Sequence, residues 1–212
     1  MDDAPARTPV AERAAATRAA LVELAAELFA DRGYMQTSIR DVARRAEVTT
    51  GAIYGHFRNK ADLLVAAVSK RIGEELESQS LGAETEPYHV DTLTRLARDV
   101  RRRRQLRALL VEGAAAAHTD QETREQLRDE QLSHLKAWQA GYEADRARLG
   151  IDDEVDLQAA VVFTWAVEVG LGVLEAVGIE PKSTDGWANV WNRFARSLQL
   201  PPDDGKRRRR RR

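Results

Sequence analysis

There is no cysteine in the chain. That excludes disulfides, thiolate metal sites and cysteine nucleophiles, and it fits a reducing compartment. Histidine is nearly as scarce: His56, His89, His118 and His134 are the whole supply. None stands in an H-x-x-x-H or H-E-x-x-H pair, the spacing zinc sites use. No metal and no cofactor is therefore expected. The chain also lacks the G-x-S-x-G turn that exposes a serine nucleophile, and any glycine loop that cradles phosphate. No catalytic residue is assigned, and an enzyme is not expected. No apolar run reaches membrane length. Residues 1–16 (MDDAPARTPVAERAAA) lack the basic start and apolar stretch of a signal peptide. The expectation is a cytoplasmic protein without a membrane partner.

Neither sign of charge dominates, and the formal net charge is -1. A nucleic-acid partner is not excluded by that balance, because binding depends on where charges sit. Arg40, Arg44, Arg45, Arg58 and Lys60 fall close together. With 6 prolines, 43% hydrophobic residues and an excess of alanine, leucine, glutamate and arginine, the chain reads as all-α.

The informative stretch is Gln36 to Leu64, QTSIRDVARRAEVTTGAIYGHFRNKADLL. Ser38 is a good N-cap and Asp41 stands in capping-box position. Ile39, Val42, Ala43 and Ala46 mark one apolar face at helical spacing. The helix should end near Ala46, with Glu47-Val48 as the turn and Val48 as its apolar plug. Thr49 or Thr50 caps a second short helix to about Phe57, with Ile53 and Phe57 pointing inward. Asn59 caps the next. Two short helices with a small outer face on the second form a helix-turn-helix. Thr50 and Tyr54 offer hydroxyls, His56 an imidazole and Lys60 an ammonium. Such groups suit phosphate oxygens and base edges.

Gly33-Tyr34, Thr37-Ser38-Ile39, Asp41-Val42-Ala43, Ala46, Val48-Thr49, Gly51, Ile53-Tyr54, His56-Phe57, Lys60 and Asp62-Leu63 together resemble the DNA-binding domain of TetR/AcrR-family regulators. The match is dense from Arg18 to Leu64; the remainder resembles the family in length and helical character alone. The resemblance implies base-edge contacts from Arg40 and Thr50, with Gly51 near the bases. It implies phosphate contacts from Ser38, Thr49, Tyr54, His56 and Lys60. Gly51 and Gly55 stand where some members carry larger side chains, which removes direct readout from those points.

The rest of the chain organises as follows. Residues 1–16 read as a mobile arm, 17–64 as the helix-turn-helix domain, 65–200 as a helical ligand-binding and dimerisation domain, and 201–212 as a disordered basic tail. The first helix spans Thr17 to Arg32 and is closed by Gly33. The fourth, from Lys60 to about Ser78, spans roughly 27 Å and links the two parts. A loop over 79–90 and a helix from Asp91 to Arg101 follow. Arg101 to Arg104 read as a solvated junction. Helices then run over Gln105–His118, Gln121–Leu149, Asp152 or Asp153 to Val177, and Asp185–Leu198. Leu127, Leu132, Leu135, Trp138, Tyr142 and Leu149 supply the inner side of the second of these. The helix before Gly178 is apolar on more than one side, which predicts burial against a second subunit.

Together with these patterns, the resemblance implies a ligand-responsive homodimer, read as a repressor, on a palindromic double-stranded DNA operator. The dimer interface is expected at Val161, Val169, Val173, Trp187, Trp191 and Phe194. A small apolar or amphipathic effector is expected among Trp138, Tyr142, Phe163 and Trp165, with His118, His134 and Glu168 as orienting groups. The alternatives are a helical adaptor whose DNA-binding part is vestigial, or an activator without a small-molecule switch. Arg207 to Arg212 would add sequence-independent attraction to DNA or have no effect on operator binding.

Overall fold

The computed structural model describes residues 9–80 and 99–199. Among these there are eight helices and no strand. They are α1 (Pro9–Arg32), α2 (Ile39–Arg45), α3 (Thr50–Tyr54), α4 (Lys60–Ser80), α5 (Arg104–Thr119), α6 (Gln121–Leu149), α7 (Leu157–Ala176) and α8 (Thr184–Ser197).

Helix α1 begins at Pro9, so part of the expected arm is helical. Proline suits a first turn, where its missing N–H has no partner to lose. The alanine-rich stretch behind it carries the helix through solvent to the first buried side chain, Leu21. Leu21, Val22, Ala25, Ala26, Leu28 and Phe29 then pack inward. Gly33, at φ 87°, ends the helix in the left-handed conformation that suits glycine.

One apolar core joins the helix-turn-helix to the body. It holds Phe29, Val42, Ile53 and Phe57 together with Leu63, Leu64, Val68 and Ile72 of α4. Leu109 and Leu110 of α5, Leu127 of α6 and Trp165 of α7 belong to the same cluster. The expected boundary at residue 64 therefore coincides with no gap in the packing.

Helix α6 is capped at Asp120, whose side chain accepts from the Thr123 N–H at 2.8 Å, and it closes on Gly150 at φ 62°. Leu132 corrects the expected inner stripe: it is 44% exposed. It stands five residues from Leu127, about 140° round the helix, whereas Leu135, Trp138 and Tyr142 follow the buried stripe.

Helix α7 starts later than expected. Asp152 does not cap it but forms a turn, accepting from Glu154 N–H through Oδ1. The Arg146 guanidinium holds that turn by donating to the carbonyls of Asp152 and Val155. The cap is Asp156, which accepts from Ala159 N–H at 3.1 Å. Ser183 caps α8.

The four-arginine run is the largest departure. Arg101, Arg102 and Arg104 are exposed, but Arg103 is buried. It donates to Glu168 Oε1 at 2.7 Å and lies 3.4 Å from Glu75 of α4. Arg107, one turn on, is wholly buried and forks onto Glu175 at 2.8 and 2.5 Å. Helices α5 and α7 meet closely there. A Cβ on Gly172 would lie 3.0 Å from the Arg107 carbonyl oxygen, so only glycine fits without displacement. By length and composition α7 could cross a membrane. Its carboxylates Glu168 and Glu175 are instead ion-paired to α5 within the fold.

Candidate functional site

The first candidate surface is the outside of the helix-turn-helix. Ser38 Oγ accepts from Asp41 N–H at 3.2 Å, and Asp41 Oδ2 accepts from Ser38 N–H at 2.9 Å. The capping box fixes the entry to α2 and, through the Ser38 hydrogen bonds, holds the Asp41 carboxyl below the usual carboxylate range. Glu47 makes the turn in the left-handed region, at φ 56°. The half-buried Val48 then packs on the core. Thr49 Oγ1 accepts from Ala52 N–H at 3.2 Å and caps α3. Ile53 alone of α3 is buried, which leaves Gly51 and Tyr54 facing solvent.

Ser38, Arg40, Thr50, Tyr54 and Lys60 line one shallow groove between α2 and α3. Tyr54 is 55% exposed there. Thr49 and Gly51 stand exposed at the N-terminal end of α3. A Cβ at Gly51 would meet only Thr49 Oγ1, at 3.7 Å, so packing does not demand the glycine. The Lys60 ammonium turns inward. It donates to the carbonyls of Tyr34 and Thr37 at 2.8 and 3.1 Å, and it sits 4.0 Å from the Tyr34 ring centroid. Burial lowers its pKa. These two bonds use two of its three protons. His56 is not brought to this groove; it lines a separate cleft with Arg18, Arg58 and Asp62.

Three polar contacts tie this surface to the body. Tyr34 N–H donates to Glu112 of α5 at 2.8 Å. Arg58 meets Asp62 at 2.8 Å and Glu122 of α6 at 2.7 Å, while Gln126 donates to Asp62 at 3.2 Å. The Arg58 side-chain hydrogen bonds hold the Asp62 carboxyl below its ordinary pKa. The unfolded chain therefore binds a proton at Asp62 more readily than the native one. The resulting stability should be full above the ordinary carboxylate pKa and disappear as pH falls through the lower native value. Acid unfolding followed by circular dichroism should show wild type losing this increment and Asp62→Asn showing none of it.

The second candidate site is a partly enclosed, largely apolar cavity among α6, α7 and α8, with about 770 Å³ of open space including its mouth. Trp138, Tyr142 and Glu168 of the predicted effector set line it. The other four lie elsewhere. Trp165 is one layer deeper, edge-on to Trp138 at 5.3 Å, with its N–H on Gln131 at 3.0 Å. Phe163 is 51% exposed and outside the lining, its ring 4.9 Å from that of Phe194. His118 is exposed, and His134 Nδ1 lies 2.7 Å from the Glu130 carbonyl oxygen of its own helix.

Three residues expected at a subunit interface, Val161, Trp191 and Phe194, line this cavity. Their places follow from the phase of α7 and α8, which the apolar character of α7 on all sides had hidden. Val169 packs on the main core, and Trp187 packs beside Trp191. Val173 is 50% exposed, and Val162, Phe163, Leu174, Val177 and Val190 are exposed apolar neighbours on α7 and α8. Arg103 also lines the cavity and was missed. The available signal was the four-residue step from Arg103 to Arg107, set against the seven-residue step from Glu168 to Glu175.

These features define a helix-turn-helix head set on a helical body that contains a cavity. Residues 21–67 match the family described as bacterial regulatory proteins, tetR family. The HTH-type transcriptional regulator TtgR of Pseudomonas putida is 49% identical over 55 residues, 26% of this chain and 26% of that protein. An HTH-type transcriptional repressor of Mycobacterium tuberculosis is 47% identical over 58 residues, 27% of this chain and 30% of its own. The chain thus aligns with little more than a quarter of the length of these curated relatives. A TetR-family regulator structure from Rhodococcus superposes with a TM-score of 0.74 at 21% identity, covering 88% of this chain and 100% of that one. A transcriptional regulator from Saccharomonospora viridis, solved with choline, gives a TM-score of 0.63 at 20% identity over 85% and 95% of the two chains. Residues 21–67 thus match the tetR-family DNA-binding segment, and the chain as a whole shares the fold of TetR-family regulator structures.

Proposed function

We propose that the protein is a ligand-responsive transcriptional repressor, binding a palindromic operator as a homodimer and releasing it when a small molecule enters the cavity among α6, α7 and α8. The observation that carries this reading is the groove in which Ser38, Arg40, Thr50, Tyr54 and Lys60 converge. Arg40 and Thr50 are suited to base edges there, and Ser38, Tyr54 and Lys60 to phosphates. Thr49 and Gly51 at the start of α3 extend the surface. His56 would reach a phosphate only from the side of the neighbouring cleft.

A single head reads a few base pairs. A dimer would set two α3 helices roughly 34 Å apart, one turn of DNA. The exposed apolar strip of Val162, Phe163, Val173, Leu174, Val177 and Val190 supports pairing through α7 and α8. The relatives' names support repression, and the choline-bound neighbour supports a small-molecule effector. Coupling would run along α4. Its first residue, Lys60, ties down the loop before α2, and Glu75 on the same helix pairs with the cavity residue Arg103.

Footprinting on the protein's own promoter region tests the proposal, and a protected two-fold site is the expected result. A single asymmetric half-site would refute it. Arg40→Ala should cost about 1–3 kcal/mol and relax preference at particular base pairs. Lys60→Ala should weaken all sequences alike and lower the salt dependence by about one charge. Gel shifts over a salt series, with operator variants, distinguish the two patterns.

A further inference from the structure

We infer that Glu112 is a positioning residue for operator recognition: by holding the Tyr34 backbone it fixes the angle of the DNA head on the body, and with it the half-site spacing that a dimer accepts. This rests on the reading of the protein as a homodimer on a two-fold operator.

Glu112 stands half-buried in the middle of α5, and its Oε2 accepts from the Tyr34 N–H at 2.8 Å. Gly33 lets the carboxylate come so close. A Cβ on Gly33 would lie 3.2 Å from Glu112 Oε1, and the φ of 87° there suits glycine as well. The Tyr34 ring covers the Lys60 ammonium at 4.0 Å. Burial lowers the Lys60 pKa, and the charge of Glu112 opposes that shift.

The loop that Glu112 grips is braced from within, so its position passes on to α2. Lys60 donates to the carbonyls of Tyr34 and Thr37. The Thr37 N–H donates to the Tyr34 carbonyl at 3.3 Å, and the buried Thr37 Oγ1 to the Gly33 carbonyl at 2.9 Å. The next residue, Ser38, opens the capping box of α2 and lines the reading groove with Arg40. A shift at Tyr34 is therefore a shift of the groove.

On the body side the route leads to the proposed dimer helix. Arg107, roughly 7.5 Å back along α5, is ion-paired to Glu168 and Glu175 of α7. Gly172 of α7 packs on the Arg107 backbone, which resists sliding of one helix on the other. Helix α7 also carries the exposed Val173, Leu174 and Val177. In a dimer paired there, one series of rigid parts runs from the two-fold axis through α7 and α5 to Glu112, Tyr34 and the reading groove.

The shared core also joins head and body, but apolar packing has no preferred direction. A hydrogen bond weakens steeply once it leaves its line. The core therefore keeps the head attached, while Glu112 sets its tilt through the loop between α1 and α2. The contacts of Arg58 with Glu122 and of Asp62 with Gln126 act elsewhere, at the start of α4.

The test uses the full-length protein and the two-fold site that footprinting defines, or one selected from random duplexes where the promoter region holds none. Operators with the half-sites moved one base pair closer or farther apart are compared by gel shift. Each base pair adds roughly 3.4 Å and 35°. Wild type should favour its best spacing at least about tenfold over either neighbour, the scale of one hydrogen bond to a charged group. In Glu112→Ala that preference should fall below about threefold. Glu112→Gln keeps an acceptor oxygen without the charge and should restore the preference. Glu112→Asp keeps the charge but is one methylene short, and should not restore it. A sharp preference in Glu112→Ala, a loss equal at all spacings, or a Glu112→Gln that behaves like Glu112→Ala would overturn the inference and leave the dimeric reading intact. If Glu112→Ala does not fold by circular dichroism, Glu112→Asp takes its place, and a sharp preference there would overturn the inference. Wild type indifferent to spacing on a two-fold site would also overturn the inference alone. A single asymmetric half-site in the footprint would overturn the dimeric reading and the inference with it.

Discussion

Arg107→Ala is expected to lower the unfolding free energy by about 3–5 kcal/mol, the loss typical of breaking a buried ion pair from one side. Arg107 is 0% exposed, the largest fully buried side chain among the described residues. Its guanidinium spans α5 and α7, with two bonds to Glu175, one to Glu168 and one to the Val100 carbonyl. Truncation would leave Glu175 with no guanidinium beside it and open a cavity under Gly172. Arg107→Lys should recover only part of the loss, because an ammonium cannot form the two-pronged contact with Glu175. Replacing Arg107 and Glu175 together by apolar residues of similar volume should cost much less than Arg107→Ala alone. Urea titration checks all three, through midpoints that shift at constant slope. A loss below about 1 kcal/mol for Arg107→Ala would mean that the network contributes little.

Val173→Asp should convert the proposed dimer to monomers and reduce operator affinity by about two to four orders of magnitude. Val173 is half exposed on the outer side of α7, with Leu174 and Val177 beside it. A carboxylate there costs the monomer little, because water remains available. Across a two-fold axis it would meet its own copy, and two like charges would be desolvated together. The affinity estimate follows from tethering: the second half-site is bound intramolecularly in a dimer, an advantage of about 10² to 10⁴ that monomers lack. Sedimentation velocity and gel shift at matched concentrations measure both effects. A dimeric Val173→Asp would place the interface on another face. Trp191→Asp makes a poor substitute test, since Trp191 is buried against the cavity and its loss would disturb the monomer.

Local chemistry made the helix-turn-helix legible. The Ser38–Asp41 box, the Thr49 cap and the Asn59 cap each act over three residues, so sequence neighbours suffice to reveal them. The C-terminal end of α6 was legible for the same reason, through Gly150. Arg103 was not, because its burial depends on Glu168, 65 residues away. Four adjacent arginines look alike until one finds carboxylates inside the fold. The phase of α7 was hidden for another reason. With Val161, Val162, Phe163, Trp165, Val167 and Val169 in close succession, hydrophobicity barely varies around the helix. Periodicity then cannot separate the cavity side at Val161 from the outer side at Val162 and Phe163. The aromatic residues stood out in the sequence, but their division between cavity and surface needed the third dimension.

The unbroken core from Phe29 through Leu64 to Leu109 and Leu127 bears on the construction of hybrid regulators. A head cut at residue 64 would leave behind Val68 and Ile72 of its own supporting helix, and the α5 leucines against which that helix rests. Grafted onto a foreign body, it would meet a mismatched seat, and errors in packing there would tilt the reading helices. A working chimera should therefore exchange α1 through Ile72 as one piece and carry matched residues at 106, 109, 110 and 127. The DNA specificity proposed for this protein would be portable only together with the floor on which the head stands.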